Sequence, residues 1–111
     1  MTKETLAYEN IDREFKELYV SDIKKTVVAF ANTEGGILYI GINDAGEVVG
    51  LQNVDDVMQQ TANTLKDSIA PDVMPFVKIR AVTREGKQII EVAVQNGTSR
   101  PYYIREKGLK P

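Results

Sequence analysis

The sequence predicts one small mixed α/β domain, and three observations support that prediction. Apolar residues recur every three or four positions from Ser21 to about Asn32 and from Asn53 to about Ala70, as in helices that bury one face. Apolar and polar residues alternate over 76–83 and 88–94, which is typical of half-buried strands. A length of 111 residues suits a single domain with its own core.

The first half of the chain predicts a strand, a helix and a hairpin in that order. Residues 11–19 start with alternation and are predicted to be extended. Ser21 or Asp22 can cap the first helix, and Gly35-Gly36 ends it because glycine adopts the left-handed conformation that helix ends favour. Residues 37–42 and 47–50 are predicted to form a hairpin. The predicted buried face of the helix consists of Ile23, Val27, Phe30 and Ala31.

The second half predicts a helix and three strands. Asn53 or Asp55 can cap the second helix, and Pro71 and Pro75 mark its end. Glu85-Gly86-Lys87 is predicted to join two strands as a hairpin, and 101–105 to form a last short strand. The predicted order is β-α-β-β-α-β-β-β, an α+β domain around a mixed sheet. The predicted buried face of the second helix consists of Val54, Met58, Ala62, Leu65 and Ile69.

The composition excludes several classes of function. There is no histidine and no cysteine, which rules out Ser-His-Asp and Cys-His catalysis, structural zinc sites and disulfides. A metal would have to bind carboxylate and carbonyl oxygens, which suits Mg²⁺, Mn²⁺ or Ca²⁺. No signal peptide is visible at residues 1–8, and no apolar run is long enough to span a bilayer. We therefore expect a cytoplasmic protein with no membrane partner.

The net charge of −2 conceals an uneven distribution. Residues 76–111 contain eight Lys and Arg against three acidic residues, a net charge of +5. Residues 1–75 contain six basic and thirteen acidic residues, a net charge of −7. A basic C-terminal third predicts a surface that faces phosphates. The alternative is that the strands simply alternate apolar residues with solvated charges.

The glycine pair and its neighbours favour a structural role. A Gly-Gly turn exposes backbone N–H groups that could bind a phosphate, but phosphate loops precede a helix, whereas Gly35-Gly36 follows one. No Gly-x-x-x-x-Gly-Lys-Ser/Thr motif is present. Asn32 is predicted to bond backbone groups near the helix end, and Asn43-Asp44 to occupy a hairpin turn. Asn32, Gly35 and Gly36 are thus predicted to be structural turn residues.

Four segments together resemble the Schlafen AlbA-like domain family. They are Glu14-Phe-Lys16, Ala29-Phe-Ala-Asn-Thr-Glu-Gly-Gly36, Tyr39-Ile-Gly-Ile-Asn-Asp44 and Gly46-Glu-Val-Val-Gly50. Arg100-Pro-Tyr-Tyr103 also matches a usual step of the family, and the resemblance spans about residues 9–106. Domains of this family occur at the N-terminus of prokaryotic transcriptional regulators and in Schlafen proteins. The resemblance therefore implies that residues 1–111 are one domain of a longer protein.

The resemblance implies a nucleic-acid-binding module, with DNA as the expected partner and RNA as the other choice. Lysines and arginines would contact phosphates, and two tyrosines would stack or form hydrogen bonds. The other interpretation of these residues is solvated charge and aromatic core, and Tyr39 is predicted to belong to the core. The predicted contact residues are Lys16, Lys24, Lys25, Arg100, Tyr102, Tyr103, Arg105 and Lys107.

The resemblance also implies an alternative, a divalent-metal nuclease. Schlafen ribonucleases build a Mg²⁺ or Mn²⁺ site from a Glu-x4-Glu pair and an aspartate, which match Glu9, Glu14 and Asp44 here. Five residues along an ideal strand would point the two glutamates to opposite faces, so they converge only if the chain bends. Those enzymes use two such lobes. We therefore expect this single lobe to act as an enzyme only in a homodimer, and binding without catalysis is the leading interpretation.

A third interpretation is a dimerisation or protein-interaction module. A sheet that ends in an unpaired strand can add a strand from a second molecule.

Overall fold

The computed structural model describes residues 12–105, which form two helices and six strands. The two helices pack on one face of a four-stranded sheet. A single turn of 3₁₀ helix, Met74–Phe76, precedes the fourth strand. The elements are β1 (Arg13–Lys16), α1 (Ile23–Ala31), β2 (Gly36–Ile40), α2 (Val54–Ser68), β3 (Ile69–Ala70), β4 (Val77–Arg84), β5 (Lys87–Val94) and β6 (Tyr103–Ile104).

The main sheet has the strand order β1-β2-β5-β4. β1 runs parallel to β2, and α1 supplies the crossover that a parallel pair requires. β5 runs antiparallel to both of its neighbours, with Ile90 opposite Ile40 and Val92 opposite Ile79. β3 and β6 form a separate two-stranded antiparallel sheet. Mixed α/β architecture is therefore confirmed.

The two faces of the main sheet bury different clusters. On the helix side, residues of β2 and β5 such as Leu38, Ile90 and Val92 pack against both helices. On the opposite face, Phe15, Tyr39, Ile42 and Ile89 form a second, smaller cluster. Alternation along each strand separates the two sets because successive side chains point to opposite faces. In the described part of the chain, no helix is long and apolar enough to cross a membrane.

Several predicted elements match the structure closely. α1 buries Ile23, Val27, Phe30 and Ala31, the face that its spacing predicts. The β4–β5 hairpin turns through Glu85 and Gly86, with φ values of 54° and 76°. Two consecutive left-handed residues are what a two-residue hairpin needs to match the twist of its strands. This turn aligns Arg84 with Lys87 and sets the register of the whole hairpin.

One predicted strand is absent from the structure. Residues 47–50 form no strand, and the first hairpin keeps only a bridge between Ile42 and Val48. The reason is that Gly41 and Gly50 have φ values of 112° and 87°, and the N–H groups of Val49 and Gly50 both bond to the Gly41 carbonyl. That pattern is a tight loop and not a ladder.

The second helix ends earlier than predicted and is rotated. It stops at Ser68, and Ile69–Ala70 form β3 instead. Ala70 precedes Pro71, and proline disfavours helical conformation in the residue before it. The fully buried face is Val57, Thr61 and Leu65, whereas Val54 and Met58 are half-buried. The buried Thr61 hydroxyl has no hydrogen-bond partner in the described residues. Because Thr61 is polar, the spacing of apolar residues in the sequence does not indicate that this position is buried.

Gly35 is required by both its conformation and its surroundings. Its φ is +92°, which confirms that the glycine pair contains a left-handed residue, and its N–H bonds to the Phe30 carbonyl at 3.0 Å to close α1. A Cβ at Gly35 would lie 2.6 Å from the Val94 carbonyl oxygen, and one at Gly36 would lie 2.6 Å from the Phe30 ring. The pair therefore lets α1 and β5 approach closely.

Asn32 joins the end of α1 to the C-terminal segment. Its side-chain Nδ2 donates to the Tyr102 carbonyl at 3.0 Å, and its Oδ1 accepts from the Tyr102 N–H at 2.7 Å. This two-point pairing mimics one step of a β-ladder across 70 residues of sequence. Asn32 therefore holds the segment that leads into β6, a longer reach than the local capping that the sequence predicts.

Substituting Gly35 by alanine should destabilise the domain more than the same change at Gly86. Both residues have positive φ, and alanine in that conformation costs about 1–2 kcal/mol. Only Gly35 also meets backbone, since nothing lies within 4 Å of a Cβ at Gly86. We expect urea unfolding to show a loss at least about 2 kcal/mol larger for Gly35→Ala. Equal losses would show that the close approach to Val94 is unimportant.

Asn32→Ala should destabilise the domain by about 1–3 kcal/mol, because it leaves both backbone groups of the buried Tyr102 without their partner. Asn63→Ala makes the same chemical change on the exposed side of α2 and should change stability by less than about 0.5 kcal/mol. The comparison is made by urea unfolding. An Asn32→Ala protein as stable as Asn63→Ala would contradict the proposed joining role.

Candidate nucleic-acid interface

A row of cations runs along one face of β4. Lys78, Arg80 and Arg84 occupy even-numbered positions of β4, which share one face of the sheet with Val82. Their side chains therefore all point away from the helices. β4 is the last strand of the sheet, and Lys78 and Arg80 are exposed while Arg84 is half-exposed. We call these three residues the basic row. It spans about 20 Å, six residues at about 3.4 Å each.

One buried carboxylate organises the basic row. Glu91 lies on the neighbouring strand directly opposite Arg80, and only 11% of its side chain is exposed. Arg80 donates to its Oε1 from both Nε, at 3.1 Å, and Nη2, while Arg84 Nη2 lies 3.9 Å from Oε2. A buried carboxylate needs such partners because an unpaired charge is costly to remove from water. Arg80 is thus oriented by two hydrogen bonds, Arg84 lies close by, and the three charges together are net positive.

Tyr39 completes this cluster from β2. The Arg84 guanidinium carbon lies 5.7 Å from the centre of the Tyr39 ring, within the range of a cation–π contact. Burial raises the pKa of the Tyr39 phenol, and the nearby Glu91 charge adds to that effect while Arg84 opposes it. The phenol is therefore neutral at physiological pH. Its ring is 3% exposed, which confirms that Tyr39 belongs to the core.

Three predicted contact residues lie at one end of the sheet. Lys16 ends β1, and its carbonyl accepts from the Gly41 and Ile42 N–H groups just after β2. Lys24 and Lys25 lie in the first turn of α1. Two of the three are already paired with neighbouring acids, Lys16 with Glu14 at 3.7 Å and Lys25 with Asp22 at 3.8 Å.

The other predicted contacts lie at the opposite end of α1. Arg100 and Tyr103 flank Tyr102, which Asn32 holds at the C-terminal end of the helix. A nine-residue helix is about 13 Å long, so these residues are far from Lys24 and Lys25. Tyr103 is 58% exposed, and Arg105 donates to the Asp67 carbonyl at 3.1 Å. Lys107 lies outside the described residues.

Tyr102 belongs to the core, so it is unsuited to the stacking role that the sequence offered. Its side chain is 2% exposed and packs edge-on to Phe76 with ring centroids 6.4 Å apart. The phenol oxygen accepts from the Ser99 N–H at 3.0 Å. Of the two interpretations considered for this tyrosine, core packing is the one that the structure favours.

The three acids of the candidate nuclease site are only partly described. Glu9 lies outside the described residues. Glu14 lies on β1, two residues before Lys16, and Asp44 lies in the exposed turn that follows Ile42. Glu14 lies opposite Leu38 in the middle of β2, whereas Asp44 lies four residues beyond Ile40, the last residue of β2, so the register does not place the two acids side by side. Among residues 12–105, no three acidic side chains gather into a group that could hold a metal.

Glu91 and the arrangement of the basic row were not predicted, although the sequence contains the pattern that indicates both. Once Glu85-Gly86 is taken as a two-residue turn, Arg84 pairs with Lys87, and counting back places Arg80 opposite Glu91. Alternation then assigns Lys78, Arg80 and Arg84 to one face. The basic charge of the C-terminal third was predicted, but its concentration on β4 was not.

Comparisons with known proteins agree with this architecture. A solution structure of the N-terminal domain of a RecG-related protein from Nitrosomonas europaea, named as an ATP-dependent DNA helicase relative, has a TM-score of 0.71 and 24% identity, covering 96% of this chain and 79% of that one. The crystal structure of the DIP2311 protein from Corynebacterium diphtheriae has a TM-score of 0.58 and 19% identity, covering 91% of this chain and 20% of that one. At these identities the likeness establishes the fold alone.

No curated protein sequence gives a significant match. The Schlafen AlbA_2 family model, by contrast, matches residues 3–109, nearly the whole chain. With the mixed sheet, the Gly35-Gly36 turn and the Asn32 pairing in place, the chain belongs to the Schlafen AlbA_2 family.

Proposed function

We propose that this domain binds nucleic acid, DNA in particular, through the basic row on β4. The observation that carries the proposal is the pair of arginines gathered around Glu91 on an exposed edge strand, one of which, Arg80, is oriented by two hydrogen bonds. Arginine held in one orientation loses little side-chain entropy on binding, and its planar fork fits phosphate oxygens. Family membership and the helicase-related name of one structural neighbour support the same partner.

The geometry of the row favours backbone contacts over base reading. Along one strand of duplex DNA a phosphate occurs about every 3.4 Å of helix axis, so a row of about 20 Å runs beside about six phosphates. Contacts of this kind position a protein without reading sequence. We therefore expect weak, sequence-tolerant binding by the isolated domain, and we propose that it serves a longer cytoplasmic regulator of transcription.

The outlying predicted contacts would extend this surface. Lys16, Lys24 and Lys25 at one end, and Arg100 and Arg105 at the other, could each reach phosphates beyond the row. Tyr103 is exposed and could stack on an unpaired base, a contact worth about 1–3 kcal/mol. These residues are separated by the length of α1, so we propose that they act as secondary contacts.

The proposal predicts a steep loss of affinity with salt that depends on Lys78. Each phosphate neutralised on duplex DNA contributes about −0.9 to the slope of log affinity against log salt. Lys78→Gln should therefore reduce both the affinity and the magnitude of that slope. Lys66→Gln removes the same charge from α2, on the other face of the sheet, and should change neither. Fluorescence anisotropy at several salt concentrations measures both quantities.

Binding that does not depend on salt, or equal effects of Lys78→Gln and Lys66→Gln, would contradict the proposal. Arg80 is a poorer single test because its removal leaves Glu91 without its main partner. The double variant Arg80→Gln with Glu91→Gln removes the pair together and should weaken binding without leaving an unpaired buried carboxylate.

Family membership, together with the place of Asp44 after the strand that pairs with β1, supports a second candidate, half of a metal-dependent nuclease site. With Glu9 they would supply carboxylate oxygens, the ligands that Mg²⁺ and Mn²⁺ prefer. A bound Mg²⁺ or Mn²⁺ would orient water and neutralise charge on the scissile phosphate. Glu14 already pairs with Lys16, which would have to be displaced or shared. A homodimer would provide the second lobe.

This candidate predicts RNA cleavage that requires Mn²⁺ and increases with protein concentration as dimers form. Asp44→Ala should abolish it, because the substitution removes one of three carboxylates. Glu34→Ala removes an exposed acid beyond the C-terminal end of α1 and should leave cleavage intact. Gel analysis of a labelled RNA measures the product. Cleavage that survives Asp44→Ala, or none from the wild type at any concentration, would exclude the site.

A further inference from the structure

The outer edge of β4 carries backbone groups that no described residue pairs. Arg84 and Lys87 close the two-residue turn, so residues 78, 80, 82 and 84 direct their N–H and C=O groups toward β5. The bond from the Gln95 N–H to the Phe76 carbonyl, at 2.8 Å, continues the same alternation. The groups that point outward therefore belong to Val77, Ile79, Ala81 and Thr83.

This edge is long and open. β4 has eight residues and is the last strand of the sheet in the described range. Ala81 and Thr83 are exposed although they point to the helix side, so α2 does not cover their half of the strand. Proteins commonly protect such an edge with lysine or arginine, and here Lys78 and Arg80 are exposed beside it. The same charges determine which partners the edge can accept.

A second copy of the chain is a poor partner for this edge. Antiparallel pairing of β4 with itself must match outward-pointing residues, which leaves four registers that join five or more residues. They place Arg80 opposite its own copy, Lys78 opposite Arg84, Lys78 opposite Arg80, or Arg80 opposite Arg84. These are the closely spaced, non-hydrogen-bonded positions, where like charges directly opposite each other are destabilising. Every such register is therefore opposed by repulsion.

We propose that the outer edge of β4 binds an extended acidic peptide as an antiparallel fifth strand. Strand addition satisfies the outward N–H and C=O groups together, whereas a nucleic-acid backbone offers acceptors for the N–H groups only. The charges fix the pattern of the partner. Acidic residues would lie opposite Lys78, Arg80 and Arg84, and an apolar residue opposite Val82. Read from its N-terminus, the partner is acidic-x-apolar-x-acidic-x-acidic.

Such a peptide would also regulate nucleic-acid binding. Its carboxylates would neutralise the basic row, which is the surface proposed above for phosphates. Peptide and nucleic acid would therefore exclude each other. Strand addition itself does not depend on the proposed function, since the edge exists whether or not the row contacts phosphates.

The test uses a synthetic peptide, Glu-Thr-Val-Thr-Glu-Thr-Glu, and a peptide of the same composition with its glutamates consecutive. The alternating peptide should bind and slow amide hydrogen exchange at Ile79, Ala81 and Thr83, whose N–H groups point outward. The block peptide has equal charge but the wrong spacing, so it loses opposite-charge pairs across the two strands and should bind at least about tenfold more weakly. NMR exchange measurements resolve the individual amides.

Ala81→Pro provides the matching variant. Proline removes an outward N–H and leaves the ladder to β5 intact, which is where edge strands tolerate it. It should weaken the alternating peptide about tenfold and leave the salt dependence of DNA binding unchanged. If this variant does not fold, the exchange pattern of the wild type still decides.

Peptide binding without slowed exchange at the outward amides would overturn the proposal, because it would show contact with side chains alone. Slowed exchange that grows with protein concentration in the absence of peptide would also overturn it, in favour of self-association. DNA binding is measured separately on the same samples. Its failure would refute the proposed function and leave the peptide result standing.

Discussion

Strand β5 is the constraint on which the rest of the structure depends. It pairs with β4 along its full length on one side and with β2 on the other. Without it, the β1–α1–β2 crossover and β4 would share no sheet. Its alternation also divides the molecule, since Ile90, Val92 and Val94 face the helices and Glu91 faces away among the arginines. The core and the candidate site therefore lie on opposite faces of the sheet at β5.

Local patterns predicted much of this fold, and the failures share a physical cause. α1 and the β4–β5 hairpin are specified by neighbouring residues, and both were predicted with their buried faces or turn. β3 exists only because Ile69 pairs with Ile104, and the paired role of Asn32 depends on Tyr102. Residues this far apart in the sequence do not change the local spacing of apolar and polar residues, so that spacing cannot predict their pairing. The buried Thr61 misled the assignment of the α2 face for a similar reason, because its burial is decided by tertiary packing.

The candidate site was predicted in outline and not in its geometry. Charge counting identified a basic C-terminal third, and the structure concentrates part of that charge on β4. The individual contact residues chosen from the sequence are scattered, because Lys24 and Arg100 belong to opposite ends of α1. Tyr102 illustrates the ambiguity of aromatic residues in a short motif. Its neighbour Tyr103 points outward, and only the strand geometry distinguishes the two.

The strand order also determines how the chain can fold. Within the described residues, the β4–β5 hairpin is the most local pairing of the main sheet, because β1 and β2 are joined across α1 and Ile40 pairs with Ile90, fifty residues later in the sequence. Closing such a loop costs entropy before any contact repays it, so pairings of this kind slow folding. The hairpin therefore offers a natural nucleus, and β2 with its helix can dock only after β5 is in place. A domain of this mixed topology is expected to fold more slowly than a helical bundle and faster than an all-β domain of the same size.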